Sequence, residues 1–125
     1  MAESYRDLIA WRKAKTLALD IYVCTKGFPK DEVYGLTSQM RRAAVSVPSN
    51  IAEGKGRYSR KEFVQFLYTA RGSLFELATQ LSIAHDLKYL EVSAFEQLNG
   101  TIDDLGRILN GLIKHFQEPR VLPKT

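Results

Sequence analysis

An antiparallel up-down-up-down bundle of four helices is the fold this sequence predicts, and three observations predict it. Helical periodicity occurs four times, and no stretch alternates apolar and polar residues long enough for a strand. Two of the four segments carry an uninterrupted seven-residue apolar repeat, the pattern of helices that pack at about 20°. The connections are short enough to make successive helices antiparallel neighbours. With 125 residues, 45% of them apolar, the chain suffices for one domain with a real core.

The first helix is expected from about Ser4 to Thr25, with Leu8, Trp11, Ala14, Leu17, Ala18, Ile21 and Cys24 on one stripe. Ser4 with Asp7 stands at capping-box spacing, and Gly27 and Pro29 end the segment by a glycine cap and a break. The second runs from about Tyr34 to Glu53, burying Leu36, Met40, Ala43, Ala44, Val47 and Ile51. Pro48 lies inside it. Its missing amide frees the carbonyl of Ala44, so a kink or break is expected there, with Gly54-Lys55-Gly56 closing the helix.

The third helix, about 60–85, is the clearest: Phe63, Leu67, Ala70, Leu74, Leu77, Leu81 and Ala84 alternate steps of four and three. Ser59 is its N-cap, and Glu62 completes a capping box. After a turn at Asp86–Glu91, the fourth, about 93–116, repeats the spacing through Phe95, Leu98, Ile102, Leu105, Leu109, Leu112 and Phe116. Residues 118–125, with Pro119 and Pro123, are expected as an extended or frayed tail. Phe66, Tyr68, Phe75, Ala78, Ile108 and Ile113 stand beside the main seams, as a wider core or a self-association face.

One cysteine, Cys24, excludes an intrachain disulfide and C-x-x-C chemistry. No apolar run approaches the ~20 residues that span a bilayer, and the first residues lack the apolar stretch of a leader. A cytoplasmic protein without a membrane partner is expected.

Catalytic and metal motifs are missing from the sequence. A di-iron bundle needs Glu-x-x-His pairs, but Ser82 and Leu112 precede His85 and His115 by three. Both histidines fall near helix C-termini, where they interact with the helix dipole. Helical RNases of the higher-eukaryote-and-prokaryote nucleotide-binding class place an Arg a short interval before His; Arg107 lies just too far from His115. There is no phosphate-binding glycine loop, and Gly54-Lys55-Gly56-Arg57 follows no strand. Neither an enzyme nor a cofactor is expected; a hydrolytic site at the kink, using Asn50 and Glu53, is the remote alternative.

Charge is the informative property. The net +4 divides into +6 over residues 1–61 and −2 over residues 62–125. Between Arg41 and Lys61 six basic residues meet a single acid, Glu53. Arg41, Arg42, Lys55, Arg57, Arg60 and Lys61 are the candidate phosphate contacts, forming a basic rim beside the kink, with Tyr34 and Tyr58 as stacking surfaces. Ser46, Ser49 and Asn50 surround Pro48, either to satisfy the kink or to line a ligand site.

These residues also carry a resemblance. Phe28-Pro29, Glu32, Tyr34-Gly35-Leu36, Met40-Arg41-Arg42-Ala43-Ala44, Ser46 and Asn50-Ile51-Ala52-Glu53-Gly54 resemble the signature of the four-helix bundle proteins encoded in 23S ribosomal RNA intervening sequences. Arg57, Ser59, Glu62-Phe63, Phe66-Leu67, Ala70, Gly72-Ser73-Leu74, Glu76 and Gln80-Leu81 extend the likeness, as does Trp11 with Ala14. The resemblance implies a ring-shaped homopentamer with a central channel. A related branch, the accessory protein of diversity-generating retroelements, binds nucleic acid and associates with a reverse transcriptase. The resemblance implies no particular reaction. The expected function is therefore a non-enzymatic oligomeric scaffold that binds structured RNA, or DNA, with low sequence specificity. Five copies would carry a formal +20. The alternative is a protein-interaction module, for example for a reverse transcriptase or other polymerase, whose basic face is structural.

Overall fold

The computed structural model describes residues 4–118, which form four long helices and, among the described residues, no strand. They are α1 (Ile9–Thr25), α2 (Leu36–Lys55), α3 (Arg60–Asp86) and α4 (Val92–Gln117). Each packs on its sequence neighbours, and α4 returns beside α1 to close the bundle. The broadest contact joins α2 to α3 and the narrowest joins α1 to α4. Cross-helix pairs show the antiparallel order: Ser46 meets Ser73 while Gly54 meets Phe66, and Phe63 meets Phe116 while His85 meets Phe95. Pairs of this kind follow from short connections that force each helix back along its predecessor.

The predicted seams are the core. Leu17, Ile21, Met40, Ile51, Leu67, Leu74, Leu77, Leu81, Leu105 and Leu109 are fully buried. Trp11, Cys24, Phe95, Leu112 and Phe116 pack half-buried at its margin. Most of the second apolar stripe widens this core: Ile113 is buried and Phe66, Ala78 and Ile108 are half-buried. Phe75 and Tyr68 stay exposed, with the Arg71 guanidinium 5.9 and 4.9 Å from their ring centroids.

The helix ends differ from expectation in instructive ways. Ser4 and Asp7 do form a capping box, but it caps a 3-10 turn at Tyr5–Asp7, and α1 begins only at Ile9. A second 3-10 turn, Lys30–Glu32, delays the start of α2 to Leu36. There the Glu32 carboxylate accepts the Leu36 N–H at 3.0 Å, and a Cβ on Gly35 would stand 2.7 Å from that oxygen. Ser59 Oγ accepts the Glu62 N–H at 3.0 Å as its N-cap, without the return bond of a full box. The expected tail lies outside the described residues apart from Glu118.

Gly56 ends α2 as its C-cap in right-handed backbone, φ −77°, but Gly27 does not adopt the left-handed conformation expected of a glycine cap. The α1 carbonyls are covered by side chains instead. Thr25 Oγ1 donates to the Ile21 carbonyl at 2.7 Å, and Arg41 reaches the Tyr22 carbonyl at 3.4 Å. The one left-handed residue among those described is Lys88, φ 62°. It follows α3 in a Schellman turn, with Tyr89 N–H on the Ala84 carbonyl and Lys88 N–H on that of His85.

Pro48 does not break α2, which runs unbroken from Leu36 to Lys55. Asn50 Nδ2 donates to the Ser46 carbonyl at 2.8 Å and to Ser46 Oγ at 3.0 Å, and Ser46 Oγ pairs with Ser73 Oγ at 2.8 Å. Ser46 and Asn50, on either side of Pro48, thus tie α2 to itself and to α3. The carbonyl served is that of Ser46, not the Ala44 carbonyl that the proline frees.

Candidate nucleic-acid interface

The antiparallel turn between α1 and α2 decides which cations meet. It brings the last residues of α1 and the connecting loop against the first three turns of α2. The result is a surface groove of about 680 Å³. Four cations line it: Lys26 and Lys30 from the loop, Arg41 and Arg42 from α2. Among the described residues no carboxylate lines it. Thr25, Thr37, Ser38 and Ser46 contribute hydroxyls, and Val33 and Val45 an apolar wall.

The two arginines are held differently. Arg41 Nε donates to Thr25 Oγ1 at 2.9 Å, and its guanidinium lies 4.6 Å from the Tyr22 ring centroid. It therefore sits at the C-terminal end of α1, where the helix dipole favours a cation. Arg42 is exposed and, like Lys26 and Lys30, its side chain makes no hydrogen bond or ion pair among the described residues. Like charges without acidic partners create a positive potential that only a bound anion relieves.

The other four candidate cations lie elsewhere. Lys55 is 13 residues beyond Arg42 on α2, about 20 Å at 1.5 Å per residue. Arg57, Arg60 and Lys61 cluster with it at the opposite end of the bundle. The six therefore form two separate groups and not one rim beside the kink. Within the second group, Arg57 pairs with Glu53 at 3.1 Å and lies 5.0 Å from the Phe66 ring centroid. Arg60 donates to the His115 carbonyl at 2.7 Å and the Phe116 carbonyl at 3.4 Å, closing the C-terminus of α4. Lys55 stands 6.0 Å from the Phe63 ring centroid, and Lys61 is exposed. Tyr34 and Tyr58 are likewise parted, fully exposed at opposite ends of α2. Tyr34 accompanies the groove and Tyr58 the second group.

Lys26 and Lys30 are the residues that reading the sequence missed. Charge density along the chain favours residues 55–61, whereas the groove is assembled by topology. Consecutive antiparallel helices meet at their shared connection, so basic residues on either side of Phe28-Pro29 become neighbours of Arg41 and Arg42. That signal was available in the predicted turn.

Arg42 also borders a groove between α2 and α3, which contains Glu76 and the buried Gln80, whose Oε1 has no hydrogen-bond partner. Glu32 accepts from the Tyr89 hydroxyl at 2.8 Å as well as from Leu36 N–H, tying the α1–α2 loop to the α3–α4 turn. These bonds hold its carboxyl below the ordinary glutamate range, and the same Glu32 bond raises the Tyr89 phenol. Burial pushes the Cys24 thiol up, which disfavours the reactive thiolate. His85 stacks on Phe95 at 4.0 Å between ring centroids. Asn50 and Glu53, the residues of the hydrolytic alternative, are engaged with Ser46 and Arg57. Among the described residues no group of three or more His, Cys, Asp or Glu could hold a metal ion. None of the helices is long and apolar enough to cross a membrane.

Fold and site together define, among the described residues, an all-helical four-helix protein with a basic groove at one end that no carboxylate lines. The family model for the 23S rRNA-intervening sequence protein matches residues 6–111. The chain belongs to that family. A similar solved structure is a protein of unknown function from the S23 ribosomal protein family of Bacteroides thetaiotaomicron. It is 21% identical, with a TM-score of 0.77 over 85% of this chain and 99% of that one. No curated protein matches the sequence. Neither comparison indicates a catalytic family.

Proposed function

We propose that the protein is a non-enzymatic, oligomeric nucleic-acid-binding scaffold of the cytoplasm that holds structured RNA through the basic groove at the α1–α2 end. The observation that carries this reading is the convergence of Lys26, Lys30, Arg41 and Arg42 in a groove that, among the described residues, no carboxylate lines. Phosphate contacts of this kind fix position without reading sequence, so specificity is low. One copy with net +4 binds weakly, because affinity rises with the number of phosphates neutralised. Assembly into a homopentamer, as the family resemblance implies, repeats the groove and raises affinity through avidity.

Charge reversal on the two clusters tests the reading. Arg42→Glu and Lys26→Glu should each weaken binding of a structured RNA by about tenfold or more, while Lys61→Glu should have the smaller effect. Light scattering on the same samples reads the oligomer mass, with five copies expected. Equal losses from all three variants would move the interface away from the groove. Loss of assembly in Arg42→Glu would make that arginine an intersubunit contact instead.

A further inference from the structure

We infer that the basic groove takes a single unpaired nucleotide, its phosphate held by Lys26, Lys30 and Arg42 and its base laid on the apolar wall and the Arg41 plane. This rests on the nucleic-acid reading above and deepens it by naming the recognised unit.

A surface that only tracks phosphates needs cations and nothing more. This one is a concave groove of about 680 Å³, within the roughly 300–1,000 Å³ range of small-ligand sites. Its wall includes Val33 and Val45, which are 49% and 42% exposed. A duplex backbone passing over the groove would leave those side chains facing water, whereas an inserted base covers them. Arg41 is also poorly placed as a free phosphate contact. Its guanidinium is locked by Thr25 Oγ1 and the Tyr22 carbonyl and stacked on the Tyr22 ring. A locked guanidinium plane is a stacking surface for a base. Thr37 and Ser38 place hydroxyls in the same groove, where they can meet the polar edge of the base. Cations, an apolar wall, a fixed plane and hydroxyls match a phosphate, a base face and a base edge.

The chemistry is shared by a free nucleotide and by an unpaired residue within a strand. The experiment uses the intact protein and fluorescence anisotropy at low salt, with a labelled short single-stranded RNA and the same strand carrying abasic sites. The base-bearing strand should bind about tenfold or more tightly than the abasic one, since stacking is lost with the bases. Val45→Lys, at an exposed position of α2, fills the wall while adding positive charge and no planar stacking group. It should erase that preference, whereas a purely electrostatic groove would bind both strands more tightly.

Adenosine monophosphate added as competitor separates the two sources. Competition marks a site that accepts the free nucleotide, and base preference without competition marks a strand residue; both uphold the inference. Equal binding of the two strands by the wild type, or a preference that survives Val45→Lys, overturns the inference and leaves the scaffold reading standing. Absence of binding to either strand overturns the inference, and absence of binding to a structured RNA under the same conditions overturns the scaffold reading as well.

Discussion

Glu32 connects two loops through one carboxylate, accepting from Leu36 N–H and from the Tyr89 hydroxyl. Because the folded state lowers its pKa below the ordinary 4.5, its stabilisation is present above that value and is lost as pH falls through the folded value. Tyr89 works at the other limit. Its pKa is raised above 10, so the neutral phenol's contribution is present below about pH 10 and is lost as pH rises through the folded value. Urea midpoints should therefore fall more steeply below about pH 4.5 in the wild type than in Glu32→Gln, and the two proteins should converge in acid. A difference between them that persists unchanged into acid would contradict this role. Lys88 is a second single-residue feature. Its left-handed backbone costs a side-chain-bearing residue about 1–2 kcal/mol, partly offset in glycine by the greater freedom of the unfolded chain. Lys88→Gly should raise stability by up to about 1 kcal/mol, seen as a higher denaturant midpoint at unchanged slope.

At the scale of elements, α2 and α3 approach closely where Gly54 faces Phe66 and Phe63. A Cβ on Gly54 would stand 2.5 Å from Phe66 Cβ and 3.0 Å from Phe63 Cδ1. Phe66 Cβ is fixed to the α3 backbone and cannot swing aside. Gly54→Ala should therefore destabilise by about 1–3 kcal/mol, the usual cost of overpacking, although alanine is the better helix former. A more stable Gly54→Ala protein would contradict the close approach. The four helices were legible in the sequence because the seams of α3 and α4 repeat without error. Their ends were less so. The expected glycine cap at Gly27 is not used, since Thr25 and Arg41 cover the α1 carbonyls from a distance in sequence that local spacing does not reveal, whereas Gly56 does end α2. Ser4 was read correctly as a cap, but Leu8 is extended, φ −74° and ψ 127°, and separates the capped turn from the helix.

For the whole molecule, charge asymmetry was visible in the sequence and its geometry was not. The density at Lys55–Lys61 suggested a rim continuous with Arg41 and Arg42, yet about 20 Å of α2 parts them. Two members of the distal group serve the bundle itself, Arg60 by capping α4 and Arg57 by pairing with Glu53. What concentrates unpaired positive charge is the α1–α2 turn, which gathers Lys26 and Lys30 beside Arg42. This arrangement makes binding dependent on ionic strength in a calculable way. Log affinity should fall linearly with log salt, with a slope of about −0.7 to −0.9 per phosphate neutralised. The decisive measurement is therefore a salt titration of a fluorescent structured RNA against the wild type and Arg42→Glu. A steep linear loss in the wild type, with a shallower slope for Arg42→Glu, is the result predicted by a phosphate-binding groove. No binding at about 50 mM salt, where electrostatic attraction is strong, or identical slopes for the two proteins, would contradict it.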